Sequence, residues 1–168
     1  MFYPDEYLDL VNDNDEVIGK KLRLEIYQEN LHNFRVVNAF VKNSLGELWI
    51  PRRTADKRLY PLCLDMSVGG HVESGETYEE TFKRETLEEL NVNIDKIAWH
   101  KLGKLSPKEG LSAFMQVYEI MLDDAPEYNQ NDFTEFFWLT PKALIKKILD
   151  GDQAKSDLIK LVQKFYKI

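Results

Sequence analysis

Glu85, Glu88 and Glu89 stand at i, i+3 and i+4 within the stretch GGHVESGETYEETFKRETLEELNV, which runs from Gly69 to Val92. On a helix that spacing puts three carboxylates on one face, with neighbouring Cβ atoms roughly 5–6 Å apart. Like charges so placed destabilise a helix, and in its C-terminal half they also oppose the helix dipole. A hard divalent cation offsets that cost, because Mg2+ or Mn2+ prefers carboxylate oxygens and keeps waters and substrate phosphates in its shell. The plainer alternative is a solvated acidic helix face. Arg84 weighs against it, since it lies four residues after Glu80 and four before Glu88 and can hold either carboxylate in place. Upstream, Gly69 and Gly70 permit close backbone approach, a carbonyl there can face a metal, and Gly75 bends the chain again.

The acidic face needs a helix over Thr77 to Leu90. Thr77 and Glu80 have capping-box spacing, and apolar residues recur at Phe82 and Leu87, with Thr86 and Leu90 nearby on that side. Around it, the sequence predicts an N-terminal hairpin over residues 8–23 with a turn at Asn12 to Asp15, and a short helix over Leu24 to Glu29. Strands are expected at Arg35 to Asn43, at ELWIPRR after a Ser44-Leu45-Gly46 turn, and at Leu64 to Gly70. Further strands are WHKLGKLS, SAFMQVYEIML and Glu135 to Leu139. Thr140-Pro141 starts a helix that Gly151 ends, and Ser156 to Tyr166 forms another, so residues 140–168 are helical. Strands interspersed with helices predict an α/β (α+β) layered domain with a central mixed sheet, a single domain over residues 1–168.

The bulk numbers agree with one globular domain. Of 168 residues, 43% are apolar and 30% charged, and no apolar run reaches the length of a membrane span. Net charge is −7, with 29 acidic against 22 basic residues, which lacks the positive footprint of a general nucleic-acid binder. The acidic N-terminus does not have the basic-then-apolar order of a signal peptide, so cytoplasmic residence is expected. Cys63, the sole cysteine, leaves no internal disulfide and fits a reducing compartment.

The stretch resembles the Nudix box, G-x5-E-x7-R-E-U-x-E-E-x-G-U, where U is a bulky aliphatic residue. From Gly70, five residues lead to Glu76 and seven more to Arg84-Glu85; Glu88-Glu89 and Val92 follow at the required offsets. Thr86 stands where an aliphatic residue is usual, and can pack through its methyl group. Asn91 stands where glycine is usual, and is the next best residue for a left-handed helix end. Beyond the box, Trp49 to Gly75 resembles the branch that includes isopentenyl-diphosphate isomerases and their hydrolase-like relatives. The likeness rests on Arg52-Arg53-Thr54, Lys57, Pro61 and Asp65, together with the Val11 to Gly19 segment.

The resemblance implies a Nudix α/β/α sandwich and a Mg2+-dependent (or Mn2+-dependent) pyrophosphohydrolase. It cleaves a diphosphate linkage in a nucleoside di- or triphosphate, or in another nucleoside diphosphate linked to X. Glu85 and Glu89 become the principal metal ligands, with Glu88 and the Gly70 carbonyl beside them. Glu85 and Glu88 also enter the catalytic set, with Glu76 tied to Arg84, which orients rather than reacts. The general base is either a box glutamate or a distal acid among Asp123, Asp124, Glu127, Asp132, Glu135 and Glu119. Arg52, Arg53 and Lys57, and also His71, are candidates to hold substrate phosphates; Arg52 and Arg53 fall on opposite strand faces, so one of them faces the site. Phe114, Phe136, Phe137, Trp138 and Cys63 read as core. Dimers are common in the family, so a homodimer is an expected assembly.

Two other functions compete. An isomerase of the same branch needs a cysteine acid/base beside the box histidine, but Gly69 occupies that position and Cys63 lies too far upstream. A non-catalytic ligand sensor commonly loses box glutamates, and this chain keeps them all.

Overall fold

The structure, a computed structural model, describes residues 5–168; the first four residues of the 1–168 span lie outside the described residues. In chain order the elements are β1 (Tyr7–Val11), β2 (Val17–Leu22), α1 (Arg23–Gln28), β3 (Arg35–Lys42), β4 (Leu48–Arg53), β5 (Val68–His71), α2 (Tyr78–Leu90), β6 (Trp99–Leu105), β7 (Phe114–Met121), β8 (Phe133–Leu139), α3 (Pro141–Leu149) and α4 (Leu158–Phe165). Strands β6-β7-β3-β4-β8 form the path of a mixed six-stranded sheet in which β3 and β7 run parallel. One edge of β3 is shared: Val36 to Ala39 pair with β5, and Val41 and Lys42 pair with β4.

Alternation along the central strands builds two apolar layers, because successive strand side chains point to opposite faces. Val37, Ala39 and Val41 of β3 join Tyr118 and Ile120 of β7 beneath Phe82 and Leu90 of α2. Phe40, Met115 and Val117 point the other way, against Leu144 and Ile145 of α3 and Leu161 and Val162 of α4. The result is the helix-sheet-helix sandwich that the sequence predicts. β1 pairs with β2 in a separate two-stranded sheet and meets the loop before α2 through an isolated Leu8–Glu73 bridge, with Leu8 packed on Ile26, Phe34 and Ala113.

α2 starts at Thr77, whose hydroxyl accepts the Glu80 N–H at 3.1 Å while the Glu80 carboxylate accepts the Thr77 N–H at 2.8 Å. It ends at Asn91 in the left-handed conformation, φ 56° and ψ 34°. The buried stripe is Phe82, Thr86 and Leu90, with Thr81 beside it, and Leu87 is exposed rather than buried. The reason is angular: Leu87 lies five residues from Phe82, about 140° round the helix, whereas steps of four stay near one line.

The expected strand at Leu64 to Gly70 is shorter than the sequence suggests. Leu64 and Asp65 spend their backbone groups on other segments: the Leu64 N–H donates to Gln153 O at 2.8 Å, the Lys155 N–H to Leu64 O at 3.0 Å, and the Asp65 N–H to Pro51 O at 3.0 Å. Arg52 ties β4 to the chain beyond α3, donating from Nη1 and Nη2 to the two Asp152 oxygens at 2.8 and 3.0 Å. Lys147 reaches the same carboxylate at 3.1 Å. No helix among the described residues is long and apolar enough to cross a membrane.

Two stability predictions follow from these contacts. Asn91→Ala forces a Cβ-bearing residue without a compensating amide into the left-handed region and is expected to cost about 1–2 kcal/mol. That lowers the melting temperature by roughly 2–4 °C per kcal/mol, whereas Asn91→Gly leaves it unchanged or higher. The Arg52 guanidinium holds the Asp152 carboxyl down to about 2, below its ordinary 3.8. A depressed carboxyl contributes stability above its unfolded pKa and loses it as pH falls through the folded one. Urea midpoints should therefore drop for Asp152→Asn at neutral pH, and the gap to wild type should close between about pH 4 and 2.

Candidate active site

β5 delivers Gly69, Gly70 and His71 to the face of α2 that carries the box carboxylates. At Gly70 the backbone and the Glu85 side chain meet closely: a Cβ there would lie 2.2 Å from Glu85 Cδ. The Gly69 N–H donates to Glu89 Oε1 at 3.1 Å. Glu85 and Glu89 are thus pressed one turn apart against a strand terminus, with Glu85's side chain only 15% exposed.

Arg84 organises the acidic cluster. Its Nε and Nη2 donate to the two Glu76 oxygens at 3.1 and 3.2 Å, and Nη1 donates to Glu85 Oε1 at 2.9 Å. Nη2 also reaches the His71 carbonyl at 3.3 Å, and Glu88 Oε2 lies 3.6 Å from Nη1. Glu76 takes a further short hydrogen bond from the Thr81 hydroxyl. Of the two partners open to Arg84 in the sequence, Glu88 is used and Glu80 is not, because the helix cap claims it.

The charge balance is unequal. Burial pushes the Glu85 carboxyl up to about 7, against the pull of Arg84, and Glu88 adds to the rise. Burial also raises Glu89 well above the carboxylate range, and the charges of Glu85 and Asp65 raise it further, while the Gly69 N–H works the other way. Two carboxyls so close in a low-dielectric setting hold a proton between them unless a cation replaces it. Among the described residues, no three His, Cys, Asp or Glu side chains converge as a ready-made metal shell. Glu88 is turned to solvent with 56% exposure, and Arg84 lies against Glu85. The donors nonetheless fit a hard divalent ion: all are oxygens, two are half-buried without enough positive charge, and the missing Cβ at Gly70 leaves the carboxylate against the backbone.

The other sequence candidates separate in space. Arg53 donates to Asp65 Oδ2 at 2.8 Å and to Leu59 O at 3.0 Å. Lys57 pairs with Asp132 at 2.5 Å, and Asp132, like Asp65, is near enough to raise the Glu89 pKa. Arg52 is on the opposite strand face, held by Asp152 and by Glu135 at 3.1 Å. Glu119 lies across the sheet from α2, 5% exposed, accepting a 2.6 Å hydrogen bond from Tyr166 of the α4 layer, so it does not reach the box carboxylates. Glu127 is exposed, and Asp132 is the distal acid near Glu89.

His71 is not a free phosphate contact. Its Nε2 is 2.7 Å from the Tyr27 hydroxyl, and its ring stacks on Phe34 with centroids 5.8 Å apart. Burial, helped by the positive charges of Arg23, Lys155 and Arg84, lowers the imidazole pKa to about 3, so the ring is neutral at physiological pH. Tyr27 and Asp9 are absent from every sequence motif; Asp15 falls in the Val11 to Gly19 segment, but that likeness does not name its partners in the fold. Asp9 accepts the Ser74 hydroxyl at 2.6 Å and the Gly75 N–H at 3.2 Å. Asp15 accepts the Tyr78 hydroxyl at 2.9 Å and Arg35 Nε at 2.7 Å, and pairs with Lys104. Alternation in the hairpin could have flagged Asp9 as inward-facing; nothing local announces its partner.

Residues 32–162 match the NUDIX domain model. The chain is 62% identical to an uncharacterized Nudix hydrolase of Nostoc sp. over 96% of both chains. A crystal structure of a protein from Deinococcus radiodurans superposes with a TM-score of 0.92 at 52% identity, covering 96% of this chain and 100% of that one. The chain belongs to the Nudix hydrolase family. It is an enzyme of the pyrophosphohydrolase class, and Nudix hydrolases generally work with divalent metal ions. A MutT protein from Methanosarcina mazei, 19% identical with a TM-score of 0.61, shares the fold. These relatives carry the family; the likeness to the isomerase-containing branch rests on the sequence motif alone.

Gly70→Ala tests the packed geometry. The new methyl must displace the Glu85 carboxylate, a flexible group, so the fold should survive with a near-native melting temperature. Mn2+ affinity by calorimetry should fall about tenfold or more; native affinity would show that Glu85 does not need its place against Gly70.

Proposed function

We propose that this Nudix enzyme hydrolyses a diphosphate linkage in a nucleoside di- or triphosphate, or in another nucleoside diphosphate linked to X. The single observation that carries the reading is the half-buried Glu85–Glu89 pair, undercompensated by Arg84 and packed against Gly70, where a Cβ would meet the Glu85 carboxylate. Glu85, Glu89 and Glu88, with the Gly70 carbonyl, would hold Mg2+ or Mn2+. When bound, the ion supplies charge neutralisation of the diphosphate and acidifies a coordinated water.

The chain's own residues set the rest. Glu76 fixes the Arg84 guanidinium through two hydrogen bonds, and Arg84 in turn orients Glu85, so both are positioning groups. Glu88, with its carboxylate in solvent at the rim, is placed to accept a proton from the attacking water. Asp132, across the site near Glu89, is the alternative acceptor, though Lys57 holds it. Arg53 and Lys57 stand on the Glu89 side as phosphate contacts, whereas Arg52 serves the far face.

The isomerase reading loses a further support. A side chain at position 69 would start 3.0 Å from Asn38 Oδ1, and Cys63 is a buried loop residue whose thiol pKa burial raises.

Glu89→Gln keeps the Gly69 hydrogen bond but removes the charge, and metal-dependent turnover should drop at least about a hundredfold. The assay is phosphate release with Mg2+ or Mn2+ over nucleoside di- and triphosphates, dinucleotides, nucleotide sugars and isopentenyl diphosphate. Undiminished turnover in Glu89→Gln would refute the site. Isomerised isopentenyl diphosphate, rather than released phosphate, would revive the competing reaction.

A further inference from the structure

Asp65 carries a carboxylate 3% exposed, deep beside the site, and two cations converge on it. Arg53 Nη1 takes one oxygen at 2.8 Å and Lys155 Nζ lies 3.4 Å from the other. One buried carboxylate needs one cation to be compensated, and the close, 15%-exposed Arg53 side chain already supplies it. Lys155 is therefore surplus to the pair: its contact is long, its side chain is 24% exposed, and an ammonium has three donors to place.

Its position is nevertheless built. The Leu64 N–H donates to Gln153 O and the Lys155 N–H to Leu64 O, a parallel bridge that pins the segment before α4 beside the strand leading to the box glycines. Lys155 Nζ sits over the Tyr60 ring, 6.0 Å from its centroid. The two cations thus stand on the two oxygens of one carboxylate, in the segment that leads into β5 and the box glycines.

We propose that Lys155 is a substrate-binding residue, which together with Arg53 grips phosphate oxygens of the diphosphate. The proposal rests on the hydrolase reading of the site and adds to it a contact from the C-terminal part of the chain. A diphosphate carries more negative charge than a single divalent ion neutralises, and a compact ammonium beside a fixed guanidinium takes up the remainder. Asp65 then acts as the anchor that keeps two like charges side by side.

The experiment is calorimetric titration of inorganic diphosphate with Mg2+ into the wild-type protein, Lys155→Met and Lys155→Arg, with thermal melts of all three. Lys155→Met should weaken diphosphate binding about tenfold or more, with Lys155→Arg within about threefold of wild type and all melts alike. Equal affinity in wild type and Lys155→Met overturns the proposal. So does a wild-type protein that does not bind diphosphate, or a loss in Lys155→Met that tracks a large fall in its melting temperature and is not restored by Lys155→Arg. Turnover in the wild type and its loss in Glu89→Gln test the hydrolase reading separately, so either idea can fail alone.

Discussion

Glu85 and Glu89 repel each other across one helical turn, in surroundings that water reaches poorly, and much of the local structure can be traced to that repulsion. A surface pair would separate into solvent. Here the helix is held down by Phe82, Thr86 and Leu90, so the carboxylates cannot swing away with it. Gly70 gives up its side chain, Gly69 lends an N–H, and Arg84 is locked by Glu76 so that its remaining arm meets Glu85. Each partner relieves part of the cost. The unrelieved part is an affinity for positive charge stored in the fold.

That arrangement explains what could be read from residue order. Everything local was legible: Thr77 and Glu80 announce the start of α2, Asn91 its end, and Glu85, Glu88 and Glu89 their shared face, because helical periodicity alone places them. Leu87 misled because its hydrophobicity outweighed its angle. The Leu64 end of β5 misled because its apolar run is satisfied by a crossing segment around residues 153–155, which no neighbour-based pattern reveals. Arg52 and Arg53 are adjacent and chemically identical, and their opposite faces were legible; their partners were not, and the fold gives Asp152 to Arg52 and Asp65 to Arg53. Glu119 was indistinguishable from Asp132 until the sheet separated them.

The amino-terminal hairpin and α1 precede the span that matches the family model, yet they touch its most chemically loaded loop. Asp9 holds Ser74 and Gly75, the Ser74 N–H donates to Tyr7 O, and Tyr27 closes on His71. A carboxylate and a carbonyl from outside the shared framework thus fix the backbone between Gly70 and α2. A neutral, hydrogen-bonded histidine walled by Tyr27 and Phe34 gives the mouth an aromatic border rather than a charged one.

The bridge between Leu64 and the segment at Gln153 to Lys155 has a consequence for how the chain is made. On a ribosome the hairpin emerges before the loop it clasps; the box helix follows that loop, and the segment that braces Asp65 comes later still. Sequence-distant contacts of this kind form only after the intervening chain exists. A nascent chain stalled before residue 153 would thus display the box helix while Leu64 and Asp65 still lack the backbone bridge and the Lys155 ammonium that hold them.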